Sequence, residues 1–146
     1  MKGNTGIKSA LIIAALCIGT SAMARDDKTM HPIKGALETA DAQGKLNPDI
    51  KLYFGSQSHP KGKELGEWKT NKKTNGFNKS DVEACNWAFL SAVLELQERA
   101  AKEGGFAVVN IKSNYKSQET SSETEFMCGS GALISGVALK GTVLKK

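Results

Sequence analysis

Two imidazoles and two thiols stand beyond residue 24, at His31, His59, Cys85 and Cys128, and these four are the side chains whose types suit metal ligation or nucleophilic chemistry. Their spacing does not form the close Cys/His pairs of a zinc finger. A folded site using His31, His59 and reduced cysteines stays open as the metal alternative. Both histidines precede prolines, Pro32 and Pro60, and read as solvated loop residues. Cys85 falls in the second turn of an expected helix, where the dipole favours a thiolate, but it shares a face with Val82 and Phe89 and reads as core. Gly129-Ser130-Gly131 lacks the G-x-S-x-G elbow of a serine hydrolase. Gly62-Lys63 is followed by Glu64 rather than Ser or Thr, so there is no phosphate loop and an ATPase is excluded. Glu95, Glu98 and Glu103 read as a solvated helix face. The expectation is a protein that is not an enzyme and needs no cofactor.

One constellation remains. Between Lys51 and Lys79 stand seven lysines and two glutamates. Lys61, Lys63, Lys69, Lys72, Lys73 and Lys79 interleave with Trp68 and Phe77, a mixture that meets anions by charge and stacking. The plain alternative is a lysine-rich loop kept soluble by its charge, since lysines without arginines make weak shaped anion sites.

The start of the chain favours an envelope partner over nucleic acid. Lys2 and Lys8 precede a nine-residue apolar run, residues 10–18, and Ala22-Met23-Ala24 is a small-x-small cleavage site. Residues 1–24 therefore read as a signal peptide directing the protein to the periplasm. The run is about half of the roughly 20 residues that cross a bilayer, so no permanent membrane anchor is expected. Cleavage removes Cys17 and lowers the formal charge from +5 to +3. The expected partner is an envelope protein or an anionic envelope component, not nucleic acid. In an oxidising compartment Cys85 and Cys128 pair more often than they stay free, and the closure is worth about 3 to 4.5 kcal/mol through lost chain entropy in the unfolded state. Two separately buried thiols are the other reading.

These residues need elements to hold them. Pro32, then Ile33, Leu37 and Ala40, predict a short helix over 33–43 within an N-terminal extension, residues 25–49. Residues 50–146 read as a single α+β domain. Residues 50–54 (IKLYF) read as a strand, 56–63 as a loop, 65–70 as a second strand and 71–79 as turn chemistry. Ser80-Asp81-Val82-Glu83 is a capping-box pattern, and Gly104-Gly105 a left-handed stop, so one long helix spans the interval. Its apolar face carries Val82, Cys85, Phe89, Ala92, Val93, Leu96 and Ala100. An adjoining stripe of Trp87, Leu90, Leu94 and Ala101 is expected to be covered by the N-terminal segment or by a second copy in a homo-oligomer. Residues 106–113 and 126–128 suggest a hairpin around a long mobile loop, and 132–144 a last strand bent or interrupted at its glycines. The expected fold is α+β: a small, mostly antiparallel sheet packed on one long helix in the order β-β-α-β-β, with a short N-terminal helix.

Three stretches carry resemblances. Leu65-Gly66-Glu67, the segment 88–111 (AFLSAVLELQERAAKEGGFAVVNI) and Cys128-Gly129-Ser130-Gly131-Ala132-Leu133 resemble the core of RcsF-type envelope stress-sensor lipoproteins. Ala100-x-x-x-Gly104-Gly105-Phe106-Ala107-Val108-Val109 also resembles the YbjQ-like small α+β domains, a group sometimes labelled heavy-metal-binding. The resemblance implies a small sheet on one helix and an envelope protein that works by contact with other proteins. The RcsF type is lipid-anchored and carries two disulfides; here Leu16 precedes Cys17, and only Cys128 has a counterpart among those cysteines. Segments 54–60, 70–92 and 137–141 resemble small exported bacterial proteins labelled excinuclease ATPase subunit. That resemblance implies family membership without an ATPase activity, because the phosphate loops and zinc-ligand clusters of such an enzyme are missing.

Overall fold

The computed structural model describes residues 25–146, and the expected signal peptide, 1–24, lies outside them. In chain order the elements are β1 (Asp27–Pro32), α1 (Ile33–Leu37), α2 (Ala40–Lys45), β2 (Lys51–Phe54), β3 (Lys63–Asn75), α3 (Asp81–Lys102), β4 (Ala107–Tyr115), β5 (Gln118–Thr120), β6 (Glu125–Ser130) and β7 (Ile134–Lys145). The fold is α+β, with a curled, mostly antiparallel sheet around the long helix α3.

Local chemistry accounts for α3. The Ser80 hydroxyl accepts from the Glu83 amide at 3.1 Å, Asp81 and Glu83 sit in the first turn, and Gly104 takes φ +71 just past the end. Cys85, Phe89, Val93, Leu96 and Ala100 point into the core as the spacing predicts. Val82 does not: it is 54% exposed, because it stands in the first turn, beyond the sheet that covers the rest of that face. Gln97 is buried instead, and its amide bridges to the chain before β2, donating to the Asn47 and Ile50 carbonyls and accepting from the Asn47 amide at 2.9 Å. That satisfies a polar group that burial would otherwise penalise.

The four-strand layout needs correction, since the sheet has seven strands. β7 is its spine. One edge of β7 pairs with β3 from end to end, while the other pairs first with β6 and then with β4. The glycines at 136 and 141 therefore do not interrupt the strand. Gly141 leaves room for Val108, whose Cγ1 would lie 2.6 Å from an added Cβ. β4 and β6 are not a hairpin: β4 turns back on the short β5, and β6 pairs with β1. β1 arises from residues 27–32, polar enough to read as irregular, because β6 supplies a backbone partner. The single helix expected over 33–43 is two, α1 and α2, the second capped by the Thr39 hydroxyl. β2 lies parallel to β4, the one parallel pairing among the described strands. β3 continues through Asn75 because Asn71 to Asn75 pair with Ala138 to Ile134, overriding their turn propensity.

An aromatic column closes the core. Phe89 and Phe126 stack at 4.0 Å between centroids, with His31 beyond Phe126 at 5.6 Å and Phe54 beyond Phe89 at 5.9 Å. No helix among the described residues is long and apolar enough to cross a membrane.

Candidate functional site

The lysine-rich segment is mostly the edge strand β3, with α3 beside it. Strand periodicity puts Trp68, Thr70, Lys72 and Thr74 on the side facing α3, and Lys69, Asn71 and Lys73 on the other. Between β3 and α3 opens a groove of about 580 Å³. Its β3 wall carries Trp68, Lys69, Thr70, Lys72 and Lys73; its helix wall carries Leu94, Glu95, Glu98, Arg99 and Lys102, with Ser91 at one end. Lys72, Arg99 and Lys102 thus bring three cations to it against two carboxylates, while Lys69 and Lys73 border it from the other face of β3.

Pairing neutralises both carboxylates. Lys72 Nζ lies 2.5 Å from Glu95 Oε2, an ion pair without hydrogen-bond alignment, and Lys102 Nζ lies 2.9 Å from Glu98 Oε1. The Lys102 ammonium holds the Glu98 carboxyl below its usual pKa. Lys69 and Lys73 have no acidic partner within 4.0 Å among the described residues. The Arg99 guanidinium stands 5.9 Å from the Trp68 ring centroid, within cation–π range. Thr70 is 6% exposed and its hydroxyl has no hydrogen-bond partner among the described residues. A buried hydroxyl left unpaired carries a desolvation cost that an incoming acceptor would relieve.

The other lysines divide. Lys63 opens β3 and Lys61 is exposed in the loop before it, while Lys79 donates to the Asn75 carbonyl at 3.1 Å beyond the strand. The apolar stripe on α3 also divides. Leu90 is buried, and Trp87 is half-buried beneath the Lys45 ammonium of α2, 4.7 Å from its ring. Leu94 alone of the three opens onto the groove. Past the end of β3, Phe77, Leu133 and Ile134 form an exposed apolar tip.

The histidines do not converge. His59 is exposed beside Tyr53, with ring centroids 5.8 Å apart. His31 is not a loop residue: it lies in β1, buried against Phe126, and its Nε2 is 2.7 Å from Thr29 Oγ1. Burial pushes its pKa down from 6.5, against the pull of Asp81 and Glu125. Cys85 and Cys128 are at disulfide distance, Sγ to Sγ 2.04 Å, and a ligand atom of His31 lies within 4.8 Å of both sulfurs. Ser130 Oγ sits 3.3 Å from Cys85 Sγ. Nothing in the residue pattern signals that His31 joins the cysteines, because only the β1–β6 register puts it opposite Phe126, two residues from Cys128.

No family model, curated protein or solved structure matches the chain.

Proposed function

We propose that the protein is an exported envelope protein that acts by binding, as a non-catalytic contact or sensor module, and that the β3–α3 groove receives an anionic group of its partner. One observation carries the reading: the groove holds a half-buried Trp68 and the unpartnered Thr70 hydroxyl, and two cations lacking acidic partners, Lys69 and Lys73, border it from the other face of β3. The signal-peptide pattern and the resemblance to envelope stress-sensor cores support the same compartment and mode of action. Photo-crosslinking residues placed at Trp68 and Lys73 in cells test it, with Trp87, under Lys45, as a third position. Adducts from 68 and 73 are expected, and an empty result at both overturns the reading.

A second reading, metal binding, has the clustering of His31, Cys85 and Cys128 in its favour. Thiolates and a disulfide exclude one another, so a metal would require the reduced protein. Metal retained in stoichiometric amount after purification would favour it, and an intact disulfide without metal would remove it.

A further inference from the structure

The bare edge of β3 names the partner's chemistry. β3 runs for 13 residues and pairs on one side only, with β7; no other strand joins it among the described residues. An unpaired edge presents every second residue's N–H and C=O to whatever lies beside it, and these groups are matched in full only by another extended polypeptide. Long edges are normally blunted by bulges and lysines. β3 has both, a register shift between Glu64 and Gly66 and its row of lysines. Those lysines act selectively. A second copy of β3 in parallel register would set ammonium beside ammonium, whereas a strand bearing carboxylates would find a cation on either face.

Resting on the groove reading, we infer that the partner docks as an extended acidic polypeptide segment that adds a strand to the free edge of β3. Cross-strand neighbours stand about 5 Å apart on each face. Side chains of the added strand on the outer face come beside Lys69 and Lys73. Those on the inner face enter the groove over Trp68 and Leu94, where the Thr70 hydroxyl and Arg99 meet an acceptor. The groove's volume, about 580 Å³, accommodates such side chains.

The test uses the disulfide-intact protein lacking residues 1–24 and an alternating Glu-Thr peptide about ten residues long, with sulfated dextran as the non-peptide anion and a Lys-Thr peptide as the control. Amide hydrogen exchange across β3 is the readout. The expected result is binding of the Glu-Thr peptide alone among the peptides, with slowed exchange at alternate amides between Gly66 and Asn75. Replacing both exposed lysines, Lys69→Gln with Lys73→Gln, is expected to weaken binding about ten-fold. Peptide binding without amide protection overturns the added strand and leaves the anionic groove standing. Sulfated dextran binding without peptide binding overturns the polypeptide partner, again sparing the groove. If neither probe binds, the inference falls, and crosslinking at Trp68 and Lys73 then decides the groove reading separately.

Discussion

Lys72 on β3 and Glu95 on α3 form an ion pair across the groove, 2.5 Å from Nζ to Oε2, and it is the one ion pair between β3 and α3 among the described residues. Both side chains remain about two-fifths exposed, so the pair contributes only about 0–1 kcal/mol to stability. Its consequence for binding is larger, because Glu95 occupies a lysine that an incoming anion would use. Glu95→Gln is expected to leave the urea midpoint nearly unchanged while raising affinity for the Glu-Thr peptide roughly three-fold. Isothermal titration checks this, and weaker binding would mean that Glu95 orients Lys72 productively.

The Cys85–Cys128 bond joins the second turn of α3 to the middle of β6 across 43 residues. Replacing both cysteines by alanine is expected to cost about 2–5 kcal/mol in urea unfolding, most of it from a less restricted unfolded chain. A loss below about 1 kcal/mol would show that the staple adds little to the packed core.

Burial lowers the His31 pKa from its ordinary 6.5. The folded state therefore binds its proton less readily than the unfolded state. Stability is full above 6.5 and falls as the pH drops through the window below it. Urea midpoints measured between pH 7.5 and 5 are expected to decline in the parent, whereas His31→Gln flattens that part of the profile. Equal slopes in the two proteins would exclude His31 as the titrating group.

Phe126 is sandwiched between Phe89 and His31, and is 1% exposed. Phe126→Ala is expected to lose about 3–5 kcal/mol from lost burial and the cavity left behind. Chemical denaturation with the disulfide intact measures it.

Gly129 makes room for Tyr115, whose Oη donates to Asp26 Oδ1 at 2.8 Å. An added Cβ would lie only 2.0 Å from Oη. Burial, with the Asp26 bond, pushes the Tyr115 pKa up to about 12. Gly129→Ala is expected to displace the ring and return that pKa toward 10, read as an earlier rise in ultraviolet absorbance during alkaline titration. An unchanged titration would place the strain elsewhere.

The long helix was legible because its signals are local: a serine cap, an apolar face at helical spacing and a glycine stop all lie within one segment. The α+β class, the strand at residues 50–54 and the candidate pairing of Cys85 with Cys128 were legible for similar reasons of composition and periodicity. Strand pairing is not local. Asn71 to Asn75 read as a turn in isolation and become the last five residues of a continuous edge because the apolar β7 offers them a ladder. Residues 27–32 likewise became a strand through β6, which brought His31 beside the disulfide and left His59 outside. The lysines could be counted from the sequence, yet whether they formed a solvated loop or one wall of a groove depended on a partner strand some 70 residues away. Residue types and local periodicity thus determined the helix and the charge, while long-range backbone hydrogen bonding alone decided which edge was left bare and which side chains converged on it.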